Sequence, residues 1–83
     1  MYYTYILRSL KDNRYYFGHS SSLEERLIKH NKGGVKSTKN RIPFIIHYYE
    51  EFETKAEAFR REAFFKSFEG RKWLFEKNII SPR

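Results

Sequence analysis

Tyr16-Phe17-Gly18-His19-Ser20-Ser21-Ser22-Leu23-Glu24-Glu25-Arg26-Leu27-Ile28-Lys29-His30 is the stretch whose reading decides the fold. It has the form of a strand ending at a glycine, a run of capping serines and a helix. Ser22-Leu23-Glu24-Glu25 fits a capping box, in which the serine oxygen and the glutamate satisfy free amides of the first turn. Leu23, Arg26, Leu27 and His30 follow at the i, i+3, i+4, i+7 spacing of one helix face. Two of these are apolar and point inward, which puts Arg26 and His30 beside the sheet. An arginine and a histidine one turn apart, next to a strand carrying Tyr16, suit a phosphate. Taken alone, the stretch reads more simply as a surface helix whose cations lie over the core edge.

Upstream, Tyr2 to Ser9 is rich in β-branched and aromatic residues and free of Gly and Pro, so it reads as a strand. Lys11-Asp12-Asn13-Arg14 supplies turn residues, and Tyr15 to His19 returns. With Asp12-Asn13 at the turn centre, Ser9 opposes Tyr16 and Leu7 opposes Gly18. Alternation then gives Tyr3, Tyr5, Leu7, Tyr16 and Gly18 one face, and Tyr2, Ile6, Tyr15 and Phe17 the other. Gly18 is expected where a side chain would obstruct the next helix or a ligand approaching the backbone.

Downstream, Asn31 to Arg41 contains Gly33-Gly34, Ser37, Thr38 and several lysines, and reads as a flexible basic loop. Phe44-Ile45-Ile46-His47-Tyr48-Tyr49 is a near-continuous apolar run, which predicts a central strand covered on both faces. Thr54-Lys55-Ala56-Glu57 is a second capping box. The helix it opens is predicted to run to about Phe68, with Gly70 as its stop, and a last helix to start at Arg71. Ala58, Glu62 and Phe65 share one side of the first of these helices, with Arg61 beside them. A carboxylate in an apolar row needs a partner. A salt bridge to an arginine such as Arg61 or Arg26 would serve, and so would a bound cation. The whole predicts an α+β fold, a small three-stranded antiparallel sheet flanked by helices in the order β-β-α-β-α-α, as one domain over residues 1–83.

Eight Phe, seven Tyr and one Trp give an 83-residue chain the bulk for a core without staples. The absence of cysteine excludes disulfides and thiolate metal sites and suits a cytoplasmic protein. No signal-peptide pattern opens the chain, and no apolar run reaches membrane-spanning length, so no membrane partner is expected. The net charge of +7 points to a polyanion, with nucleic acid the usual one. Its distribution says more. Arg26, Lys29, Lys32, Lys36, Lys39 and Arg41 form a tract without an acid, whereas the acids gather at Glu50, Glu51, Glu53 and Glu57. In the loop, Lys32, Lys36, Lys39 and Arg41 are placed to follow DNA phosphates without reading bases.

Taken together, Tyr3-Thr4-Tyr5-Ile6-Leu7 in the first strand, Tyr16-Phe17-Gly18 in the second, Arg26-x-x-x-His30 on the helix and Arg60-Arg61-Glu62 on a later one resemble the GIY-YIG endonuclease superfamily. The likeness covers essentially the whole chain and is nearest to the small bacterial members compared with the nuclease domain of the nucleotide-excision-repair incision subunit. It implies metal-dependent endonuclease hydrolysis of DNA phosphodiester bonds in repair or recombination. By that likeness Tyr5 and Tyr16 are the motif tyrosines, Arg26 contacts the scissile phosphate, His30 stands close behind, and Glu62 binds a divalent cation, Mg²⁺ or Mn²⁺. Arg26, His30 and the cation would supply the positive charge that lets a tyrosine act as a base. Either tyrosine fits that role. The departures are Tyr3-Thr4-Tyr5 in the first motif and Phe17 in the second, both of which keep the tyrosine. Many catalytic members also carry a polar residue, often asparagine, near the end of the domain, and Asn78 is the only asparagine there. Two alternatives stand beside the nuclease: a nucleic-acid-binding module of the same fold without turnover, and a protein-interaction domain with an aromatic surface. For the nuclease, weak sequence preference is expected, with a particular DNA structure or a protein partner supplying selectivity.

Overall fold

The computed structural model describes residues 1–81. β1 (Tyr2–Ser9), β2 (Tyr15–Ser20) and β3 (Phe44–Phe52) form one antiparallel sheet in the order β2-β1-β3. α1 (Leu23–Asn31) joins β2 to a short 3₁₀ turn at Lys39–Arg41 and then to β3, and α2 (Lys55–Lys66) and α3 (Phe68–Glu76) follow. This is the α+β arrangement expected.

The central strand is β1, and the apolar run at Phe44 forms an edge strand instead. The reason lies in burial. Thr4, Tyr5, Ile6 and Leu7 are all essentially inaccessible to solvent. The Thr4 hydroxyl is satisfied there, since Oγ1 donates to the Ala58 carbonyl at 2.7 Å. β3 turns polar after Ile46, with His47, Tyr49 and Glu51 exposed, which an edge tolerates and a centre does not.

The hairpin register also departs from expectation by two residues: Tyr5 faces Gly18 and Leu7 faces Tyr16. Buried Ser9, not Asp12-Asn13, organises the turn. Its hydroxyl accepts from the amides of Lys11 and Asp12 and donates to the Arg41 carbonyl. A two-residue shift preserves alternation, so the division of faces stands. On one face Ile6 and Phe17 pack with Phe65, Leu74 and Ile80 of the α2–α3 side. On the other, Tyr5, Leu7 and Phe44 pack with Tyr16, Leu23, Leu27, Ile42 and Ile46.

Both predicted helix starts are present. Ser22 Oγ accepts from the Glu25 amide, but the reciprocal half of that box is replaced by Ser20 Oγ, which accepts from the Ser22 amide. The Thr54–Glu57 box is complete. The later boundaries differ. α2 stops at Lys66, and Ser67 both ends it and caps α3, its Oγ accepting from the Gly70 amide. Gly70 therefore lies inside α3, not at a helix stop. A Cβ there would stand 1.6 Å from the Phe64 carbonyl oxygen, so the α2–α3 corner closes only over a bare backbone. Asn78 is the actual stop. It adopts φ 59, with its amide bonded to the Phe75 carbonyl and that of Ile79 to Leu74. This left-handed helix cap accounts for the asparagine structurally.

Candidate active site

Gly18 lies within β2, not at its end, and the obstruction it avoids comes from Tyr5. A Cβ at residue 18 would lie 2.4 Å from the Tyr5 hydroxyl and 2.5 Å from its ring carbon. Tyr5, itself 1% exposed, lies across the glycine with its hydroxyl toward the strand edge. There Arg26 Nε donates to it at 3.4 Å. Burial pushes the Tyr5 phenol up, and the Arg26 hydrogen bond and charge only partly oppose it. Arg26 reaches the sheet because α1 turns the Leu23, Arg26, Leu27 and His30 face inward. Beyond the hydroxyl the guanidinium lines a cleft of about 400 Å³ with Tyr2, His19, Ser20, Ser21 and Lys55.

Glu62 meets this cleft through His19. Its carboxylate accepts from His19 Nδ1 at 2.6 Å and from Lys66 Nζ at 2.6 Å, with the side chain 14% exposed. The partners of Glu62 are thus a histidine and a lysine, and neither Arg61 nor Arg26. Burial raises the Glu62 carboxyl, but the bonds from His19 and Lys66 outweigh it and hold it below the usual range. Sequence reasoning passed over both partners. Lys66 carried a signal, the i, i+4 spacing from Glu62. His19 carried only its place after Gly18.

Arg61 is occupied elsewhere. It donates to Glu50 through Nε at 2.7 Å and Nη2 at 3.2 Å, and its guanidinium stacks over Phe64, Phe65 and Trp73. Tyr48 donates to the same carboxylate, and burial together with that bond pushes its phenol up to about 12. Arg61 thus ties α2 and α3 to β3.

His30 is wholly buried among Tyr5, Tyr16 and Phe44. Burial, with Arg26 and Lys29 nearby, lowers its pKa to about 4, so the ring is neutral at pH 7. The positive charge expected of it is absent. Nδ1 bonds Thr38 Oγ1 at 2.8 Å, and Nε2 has no partner among the described residues. Tyr16 packs edge-on against this ring, with centroids 4.9 Å apart, and is only half-buried.

The basic loop is anchored at both ends. Thr38 holds His30, while Asn31 accepts from the Phe44 amide and donates to its carbonyl. Lys32, Lys36 and Lys39 are exposed. Arg41 is not a free cation: its Nε donates to Asp12 at 2.9 Å, and that bond pulls the Asp12 carboxyl down to about 2.

A glycine crossed by a tyrosine ring, an arginine on that tyrosine's hydroxyl and a carboxylate held by the next histidine thus gather around one strand. The family model of the GIY-YIG catalytic domain matches residues 1–78, and the chain belongs to this family. Within it, the chain is similar to a UPF0213 protein of Staphylococcus saprophyticus, 45% identical over 74 residues, covering 88% of this chain and 89% of the relative. A UPF0213 protein of Halobacterium salinarum is 36% identical over 63 residues, covering 75% of this chain and 80% of the relative. The solution NMR structure of the UPF0213 protein BH0048 from Bacillus halodurans superposes with a TM-score of 0.53 at 34% identity, over 93% of this chain and 85% of that one. No helix among the described residues is long and apolar enough to cross a membrane.

Proposed function

We propose that the chain is a metal-dependent endonuclease that hydrolyses DNA phosphodiester bonds at the Gly18 edge of the sheet. The observation that carries this reading is one cleft lined by both Arg26, which holds the Tyr5 hydroxyl, and His19, which holds the Glu62 carboxylate behind it. In hydrolysis a water oxygen adds to phosphorus as the bond to the leaving oxygen breaks; the water gives up a proton and the leaving oxygen takes one. Arg26 supplies a planar fork of donors for the charge that builds on the phosphate. Tyr5, buried and raised in pKa, is a poor base and fits a positioning role, holding Arg26 over Gly18. Tyr16, half-buried at an open groove, is the better candidate to take the proton from water. His30, neutral, positions Tyr16 by packing.

Among the described residues no three His, Cys, Asp or Glu side chains cluster as an all-protein metal cage. Glu62 fits the alternative, a single ionised carboxylate for a hard cation whose other ligands are water and phosphate oxygens. Such a cation, Mg²⁺ or Mn²⁺, would supply charge neutralisation and acidify water.

The test is nicking of supercoiled DNA with Mg²⁺ or Mn²⁺ by wild type, Arg26→Ala and Glu62→Ala. Each substitution should lower the rate about 100-fold or more. Equal rates in all three would mean a contaminant and sink the reading. A second reading, a DNA-binding module without turnover, is favoured by the engagement of both Glu62 oxygens by His19 and Lys66. Salt-sensitive binding with no metal-dependent nicking would establish it.

A further inference from the structure

β2 pairs only with β1 among the described residues, so its other edge is open. Gly18 divides that edge. On the Ser20 side lies the Arg26 cleft. On the Arg14 side lies a larger groove of about 720 Å³, floored by three consecutive strand residues, Tyr15–Phe17. Cations reach it from both faces of the sheet: Arg41 from the 3₁₀ turn, Lys66 from the end of α2 and Arg71 from α3, with Arg14 at the hairpin. The single acid in the groove, Asp12, is consumed by Arg41, and Lys66 is held by Glu62. Arg14 and Arg71 are exposed and have no carboxylate at ion-pair distance among the described residues. Arg71 lies over the Phe17 ring, 5.6 Å from its centroid, which places its guanidinium at the groove.

We propose that this groove is a second phosphate-binding site, in which Arg14 and Arg71 hold the DNA backbone on the far side of Gly18 from the Arg26 cleft. The proposal rests on the nuclease reading and deepens it, because it gives the strand a path along the β2 edge. From Arg14 to Ser20 the edge spans about 20 Å at 3.4 Å per residue, the length of roughly six base steps. Tyr16 lines the groove and Lys66 joins it to Glu62, so a backbone held there passes the candidate chemistry. An open strand edge also invites an added peptide strand. Two unpaired guanidiniums at the rim of an aromatic floor favour phosphate over all peptides but acidic ones.

The experiment is equilibrium binding of two fluorescein-labelled duplexes of unrelated sequence, in EDTA, across a salt series. It compares wild type with Arg14→Ala/Arg71→Ala, Arg14→Lys/Arg71→Lys and, outside the groove lining, Lys72→Ala. The double alanine variant should lose about tenfold or more in affinity for both duplexes and flatten the logarithmic salt slope by about 2. The lysine pair should restore the slope, and Lys72→Ala should change neither. Wild-type slope and affinity in the folded alanine pair would overturn the groove while leaving the nuclease reading intact. An absence of salt-dependent DNA binding by wild type would overturn both. An acidic peptide of equal charge competing as well as DNA would overturn the assignment to nucleic acid.

Discussion

The hydroxyl of Tyr5 occupies the space where residue 18 would carry a Cβ, 2.4 Å from its position. Gly18→Ala must therefore displace a buried ring that also holds Arg26. The expected cost is about 1–3 kcal/mol in urea unfolding, with loss of nicking because Arg26 loses its anchor. Tyr5→Phe removes the hydroxyl but leaves the ring carbon at 2.5 Å, so it should not rescue the alanine. An alanine variant as stable as wild type would show that the ring moves freely and positions nothing.

Gly70→Ala offers a contrast. In an exposed helix interior such a change gains up to about 1 kcal/mol. Here the new methyl meets the Phe64 carbonyl oxygen at 1.6 Å. The α2–α3 corner must open, and we expect a loss of roughly 3 kcal/mol or more, or failure to fold. A neutral or stabilising result in chemical denaturation would contradict the corner's geometry.

The neutrality of His30 sets a pH dependence. Its folded pKa, about 4, lies below its ordinary value of about 6.5. The unfolded chain therefore binds more protons between these values, and stability rises with pH through that window. The contribution is complete above about pH 6.5 and lost as pH drops toward 4, on the order of 3 kcal/mol in all. Urea unfolding of wild type and His30→Gln at several pH values should show a shallower acid loss in the variant. In NMR the His30 ring should not titrate above about pH 5; a midpoint near 6.5 would refute its burial as a neutral ring.

Lys66 competes for the carboxylate that a cation would use. Lys66→Met frees one Glu62 oxygen. Mn²⁺ should then raise the melting temperature of the variant more than that of wild type, by mass action on the folded state. Adding Glu62→Gln should abolish the gain. If millimolar Mn²⁺ leaves every protein unmoved, with and without a short duplex present, Glu62 holds no cation.

Lys36 and Lys39 are exposed on an anchored loop. Replacing both with alanine should weaken binding equally for unrelated DNA sequences and flatten the salt dependence. A loss confined to one sequence would show that the loop reads bases.

Much of the fold was legible because its signals are local. Ser22 and Thr54 announce helix starts through bonds made within a single turn. Alternation on β1 and β2 put Tyr5 and Tyr16 on one face whatever the register, since the observed shift of two residues leaves parity unchanged. The spacing of Arg26 and His30 turned both toward the sheet for the same reason: a helix face is fixed by periodicity alone.

The rest depended on which distant groups meet. β1 can be buried at the centre because its Thr4 hydroxyl finds the Ala58 carbonyl 54 residues away, a partner that no local signal announces. Gly70 looked like a stop because glycine often is one, and only the Phe64 carbonyl shows that it serves a crossing. Glu62 needed a partner by the energetics of burial, but its histidine lies 43 residues off, across the sheet edge. The charge state of His30 follows from desolvation, a property of the packed interior that one chain segment does not possess. Sequence by itself determined which residues share a face; the tertiary structure decided which of them are paired, neutral or free, because burial and long-range contact set those energies.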